Sequence, residues 1–276
     1  MKIKKIAVAA AAFALVSAVA LAGCSGQPAA SSSASATDDA QGTTEEIVLV
    51  DDGKLTIAAS LDFPPFENLE GSEAVGFEVD LMKALAEKMG LQAEYLPSTK
   101  FDTIVPMISA GGKADVGVSG FTVTEDRKKE IDFTDVIMDS NQGIVVMKDS
   151  GYTDVAQLAG KKIGAQSGTT GYDWAVENIE GAEVIPFDEM TAVFAALQSG
   201  QIDAIASDLP VVQYYVNNAY TDMEIIAEIP TGEQYAIVVS KDNPALTQAL
   251  NDAIAEAKAD GTYDTIYEKW FGASAE

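Results

Sequence analysis

Histidine is absent from all 276 residues, cysteine occurs once, at position 24, and the seventeen basic residues are sixteen lysines and a single arginine, Arg127. Each shortage excludes something. Without histidine there is no imidazole for a Ser-His or Cys-His nucleophile pair, and one cysteine forbids an internal disulfide. No metal-ligand cluster has credible spacing and no Gly-x-Ser-x-Gly elbow occurs, so neither a metal nor a cofactor is expected. Basic charge is also scarce: 43 acids against 17 bases leave a formal charge of −26. Such a body repels nucleic acid and anionic lipid, and the surplus reads as a solvated, exported surface.

The N-terminus is what export requires. Lys2, Lys4 and Lys5 precede an apolar run of small residues from Ile6 to Leu21, which is a secretion signal rather than a membrane span. Leu21, Ala22, Gly23 and Cys24 resemble a bacterial lipobox. That resemblance implies removal of residues 1–23 and a diacylglycerol thioether, palmitate-type lipid, on Cys24. Two chains hold a protein stably on a membrane, so the expected place is the outer face of the plasma membrane. Removing 1–23 takes away three lysines and no acid, which moves the formal charge from −26 to −29. Residues 24–46 are Ser, Ala, Thr, Gln, Gly and Asp with almost nothing to bury, the composition of a flexible tether. The body, from residue 47 on, has room for one large or two smaller domains.

Two stretches of that body echo two others. Gly53–Ser60 shares Gly, Lys, Ala and Ser at the same offsets with Gly160–Ser167, and Gly112–Ser119 matches Gly200–Ser207 in Gly, Asp and Ser. Apolar helical runs, Ile104–Ile108 and Val193–Leu197, precede the second pair. Each copy reads as strand, helix, strand, helix, glycine turn, buried strand, the βαβ logic of an α/β fold with a mostly parallel sheet. Phe77, Leu81, Leu85 and Met89 recur every four residues and mark a helix with one core face. Two β-rich runs, Asn141–Lys148 and Glu233–Lys241, read as crossings between two lobes. The expected first lobe is 47–142 with 237–276, including tail helices over Pro244–Asp260 and Tyr263–Phe271, and the second is 143–236.

Ligands of open parallel sheets bind beyond the carboxyl ends of the strands. The echoes put Ser60 and Ser119 there in one lobe, Ser167 and Ser207 in the other. Arg127 follows Ser119 by eight residues; its planar fork suits a carboxylate where lysine offers only a point charge. A surface ion pair with Glu125, Asp126 or Glu130 is the other reading. From Gln166 to Gly171 a strand runs into a helix whose free N–H groups, at Thr169 and Thr170, suit an anion or simply a cap. Asp208 ends an echoed strand and reads either as a seat for an ammonium or as the cap of the next helix. A guanidinium, a helix start and a carboxylate facing one cleft suit a zwitterion, an α-amino acid.

Over Lys54–Gly272 the chain resembles the bacterial extracellular solute-binding proteins, family 3, which serve amino-acid ABC transporters. The match is carried by Phe63–Glu67, Gly76–Leu81, Ser119–Arg127, Asp132–Asp135, Gly168–Thr170 and Gly261–Tyr263. The resemblance implies a two-lobed periplasmic-binding-protein-like fold of type II, with two hinge strands and a ligand cleft between the lobes. It implies a monomer that closes on one free amino acid and hands it to ABC permease subunits. It places Arg127 and Thr122 on the ligand carboxylate with the Thr169–Thr170 segment closing over it, and Gly120, Ser119 and Asp208 on the ammonium. Phe63 and Phe101 become walls of the side-chain pocket, and Ser60, Gln166 and Ser207 its variable positions. Ser60 stands where several relatives for basic or polar ligands carry aspartate, and Asp62 is the residue that would compensate. Neutral polar amino acids, glutamine and cystine among them, are therefore expected ahead of arginine and lysine. An enzyme, a lyase or dehydratase on the same scaffold, is the alternative, since fold does not fix chemistry.

Overall fold

A computed structural model describes residues 46–272. The signal segment, Cys24 and the tether up to residue 45 lie outside the described residues. In chain order the elements are β1 Lys54–Ala58, β2 Asp62–Phe63, β3 Glu67–Glu70, β4 Glu73–Val75, α1 Phe77–Lys88, β5 Gln92–Tyr95, α2 Phe101–Ala110, β6 Val116–Gly117, α3 Arg127–Glu130, β7 Asp132–Phe133 and β8 Met138–Met147. There follow β9 Lys162–Gln166, α4 Thr170–Asn178, β10 Glu183–Phe187, α5 Met190–Gln198, β11 Ala204–Asp208, α6 Leu209–Asn218, β12 Met223–Tyr235, β13 Val238–Val239, α7 Pro244–Ala259 and α8 Thr262–Phe271.

The two echoed units fold alike. One sheet runs β5-β1-β6-β13-β7 and the other β10-β9-β11-β8-β12. In each, three parallel strands are followed by a fourth that runs antiparallel to them and a fifth that pairs antiparallel with the fourth. Because β8 belongs to the second sheet and β13 to the first, the chain passes between sheets twice, after β7 and after β12. The passages begin a few residues earlier than the pattern of apolar runs indicates, since β8 already starts at Met138 and pairs there with Tyr235. A third, small sheet, β2-β3-β4, has no counterpart in the second unit; its strands are too short to leave an alternation in the sequence.

Burial explains the helices. Phe77, Leu81, Met82 and Leu85 on α1 are fully buried, and the first free amides of that helix, Phe77 and Glu78, donate to the carbonyls of Pro65 and Phe66 at 2.9 and 3.0 Å. This close approach requires Gly76: a Cβ there would lie 1.9 Å from the Phe66 carbonyl oxygen. Helices α7 and α8 pack on α1, with Tyr263, Tyr267 and Phe271 ringing Phe77 at 5.9, 6.1 and 5.3 Å. The tail thus returns to the first sheet. Among the described residues no helix is long and apolar enough to cross a membrane.

Candidate functional site

The carboxyl ends of β1 and β6 face those of β9 and β11, and the polar residues just beyond them reach across. Arg127, half-buried, donates through Nη1 to the Thr122 carbonyl at 2.8 Å and through Nη2 to the Gly168 carbonyl at 3.0 Å, one from each unit. Its guanidinium lies 5.3 Å from the ring centroids of both Phe101 and Phe121, and those rings stack on each other at 4.6 Å. The neighbouring acids are taken by lysines instead: Glu125 by Lys128 and Asp126 by Lys129. The surface-pair reading of Arg127 therefore fails, because two neutral carbonyls and two aromatic faces hold the fork toward the cleft. Burial lowers its pKa, opposed by the charges of Asp208 and Glu233; a guanidinium stays protonated regardless.

Asp208 does not cap α6. Its side chain makes no bond to the helix start and instead accepts from Gln142 Nε2 and from the Tyr235 hydroxyl. It is buried, and burial together with the nearby Glu233 charge pushes it up to about 7. A carboxylate that forgoes the cap and turns inward is available to a cation.

Thr169 is the cap of α4: its hydroxyl accepts from Tyr172 N at 3.2 Å and donates to the Gln166 carbonyl at 2.8 Å. Thr170 and Thr122, from opposite units, both donate hydroxyls to Glu233 Oε2, at 2.8 and 2.7 Å. Ser119 turns away from the cleft. Its hydroxyl accepts from Ser60 N at 3.2 Å and donates to Glu67 Oε1 at 2.6 Å, while Gly120 N donates to Glu78 Oε2 at 3.0 Å. Glu67 and Glu78 are fully buried and both pushed up, first by burial, and the charge of Glu78 raises Glu67 further. This pair fixes the Ser119–Gly120 peptide from behind. Gly120 itself has φ +56°, and a Cβ would stand 3.0 Å from the Phe63 ring.

On the side-chain wall, Phe63 is buried against Phe66. Gln166 Nε2 spans the units to Ser60 Oγ at 3.3 Å, Ser60 Oγ donates to Asp62 Oδ1 at 2.8 Å, and Ser207 Oγ faces the Met190 sulfur at 3.7 Å. Asp62 Oδ2 accepts from Met190 N at 2.6 Å, across the cleft. Its pKa is raised, first by burial. Of the residues singled out in the sequence, Arg127, Ser60, Asp62, Gln166 and Ser167 make hydrogen bonds from one unit to the other. Phe121, Gln142, Glu233 and Tyr235 were missed. The signal for the last two was present: residues two apart on a strand share a face, and both belong to a run read only as a crossing.

The comparisons agree with this geometry. The chain is 33% identical over 224 residues to an ABC transporter arginine-binding protein of Escherichia coli (strain K12), covering 79% of this chain and 90% of the relative. Among solved structures it is similar to an ancestral arginine-binding protein bound to arginine, with 40% identity, a TM-score of 0.74 and coverage of 80% and 99%. An ancestral arginine-binding protein bound to glutamine gives 38% identity, the same TM-score, and coverage of 80% and 98%. The family pattern of the bacterial extracellular solute-binding proteins, family 3, runs through residues 55–273, and with two matching lobes and a polar cleft between them the chain belongs to that family.

Proposed function

We propose that the protein is the extracytoplasmic amino-acid-binding component of an ABC importer, taking one free amino acid between lobe 1, residues 47–142 and 237–276, and lobe 2, residues 143–236. One observation carries the reading: a guanidinium held by neutral groups, two carbonyls and two aromatic faces, and a buried carboxylate that caps no helix lie beyond the strand ends of the two units, opposite charges for the two ends of a zwitterion. Arg127 and the backbone amides at Thr122, Thr169 and Thr170 take the ligand carboxylate. The Gly120 carbonyl, the Ser119 segment and Asp208 take the ammonium. Phe63 and Phe101 flank the side chain, with Ser60, Asp62, Gln166 and Ser207 setting preference. The relatives' own ligands, arginine and glutamine, support the class.

Within it, neutral polar side chains such as those of glutamine and cystine rank ahead of arginine and lysine. Asp62 already accepts from Ser60 and Met190, and a buried cation without a dedicated carboxylate is costly. The protein acts as a monomer, anchored through lipidated Cys24 to the outer face of the plasma membrane, and delivers its ligand to permease subunits. Competition among the twenty amino acids and cystine for the purified chain tests the reading. Arginine winning by more than about tenfold, or 1.4 kcal/mol, overturns the ranking; binding of none overturns the function.

A further inference from the structure

Glu233 belongs to none of the roles above, yet its carboxylate joins both lobes and the strand between them. Oε2 accepts from Thr122 and Thr170, and Oε1 accepts from Gln142 Nε2 at 3.0 Å. The same Gln142 nitrogen donates to Asp208 Oδ1, so two carboxylates flank one amide. The backbone is built for this. Between Ile229 and Glu233 the register of β12 against β8 shifts, and such bulges re-aim side chains. Beyond the shift Glu233 and Tyr235 share a face of the strand, and Tyr235 donates to the second oxygen of Asp208.

We propose that Glu233 is a further ligand-binding and specificity-determining residue, forming with Asp208 a two-carboxylate seat that demands a full positive charge on the ligand's amino nitrogen. The inference deepens the amino-acid reading and rests on it. Two carboxylates offer about eight lone-pair sites, of which five are used by Thr122, Thr170, Tyr235 and the two contacts of Gln142. The rest suit the three donors of a primary ammonium.

The groups facing Asp208 are Glu233 and Tyr235 from β12, Gln142 from β8 and Arg127 from α3. Hydrogen bonds from Tyr235 and Gln142 and the charge of Arg127 pull its pKa down, but burial and Glu233 outweigh them and hold it near 7. An ammonium favours the ionised form. Affinity is then full above about pH 7 and falls as pH drops through it, by up to about tenfold per unit.

Titration calorimetry of the whole chain with L-glutamine and L-arginine, from pH 5.5 to 8.5 and in buffers of different ionisation enthalpy, tests this, with N-acetyl-L-glutamine as a ligand lacking the charge. Glu233→Gln keeps an acceptor for the two threonine hydroxyls. At pH 8.5 it should bind about tenfold more weakly, the scale of one charge-assisted contact, and its acid fall-off should move to lower pH, while the parent releases protons near pH 7 and ignores the N-acetyl compound. An unchanged affinity, or a loss equal at every pH with the fall-off unmoved, overturns the assignment and leaves Glu233 a tie between lobes. Binding of N-acetyl-L-glutamine by the parent as tightly as L-glutamine overturns it whether or not the variant folds. Failure of the parent to bind any free amino acid sinks the transport reading and this inference together, whereas intact parent binding with an indifferent Glu233→Gln sinks this inference alone.

Discussion

A lysine at position 127 would keep the charge but reach only one of the two carbonyls that now hold the fork, and it would lose the planar contact with Phe101 and Phe121. Arg127→Lys should therefore weaken amino-acid binding by roughly 1.5–3 kcal/mol, the scale of a charged hydrogen bond. Calorimetry showing equal affinity would return Arg127 to the role of a structural clamp. Asp208 makes the opposite trade. Its folded pKa of about 7 lies above the ordinary 3.8, so between these values the native state binds more protons than the unfolded one. Stability contributed by this group is full at acid pH and declines as pH rises toward 7. Asp208→Asn should raise the melting temperature at pH 8, lose the difference below pH 4, and abolish binding. A lower melting temperature at pH 8 would show that the carboxylate stabilises the fold.

At the scale of elements, two of the helices that start at the cleft in the second lobe are capped differently. Helix α4 carries its own cap, Thr169, four residues into a motif legible in the sequence. Helix α5 does not: Glu189 at its start makes no capping bond, and the first amide is taken by Asp62, 128 residues away in the other lobe. A helix cap supplied across the cleft exists only when the lobes meet. Removing a cap costs about 1 kcal/mol, so Asp62→Ala should weaken binding about fivefold without a comparable loss in thermal stability. An equal loss in both would mean that the contact supports the fold in every state. The Glu67–Glu78 pair works at the same scale, since it pins the turn at Ser119–Gly120 without reaching the ligand.

The whole molecule is two similar sheets joined by two passages, with cross-lobe contacts that include Arg127 to Gly168, Gln166 to Ser60, Met190 to the Asp62 carboxylate, Tyr215 to the Asp62 carbonyl, and a Lys100–Asp188 ion pair. Exposed ion pairs contribute little, and a hinge that absorbs closure in a few residues is one of the known modes of domain motion. Saturating amino acid should shrink the radius of gyration in solution scattering and perturb Trp174, which lies on α4 just past the Gly168–Gly171 turn. Identical scattering curves with and without ligand would show that these contacts hold the lobes together unaided.

The sequence by itself determined the repeated strand-helix order and the return of the tail helices, because hydrophobic period and turn residues are local and the echoes doubled each signal. It also determined that the one arginine had to be accounted for. Only the tertiary structure decided that Arg127 bonds to two backbone carbonyls rather than to a surface acid, and that Asp208 turns inward rather than capping α6, since both choices depend on partners distant in sequence. The hidden pair of Glu67 and Glu78 and the aim of Glu233 were illegible for the same reason. A buried acid looks like any acid in a string of letters, and what makes it costly or available is the set of groups that folding brings against it.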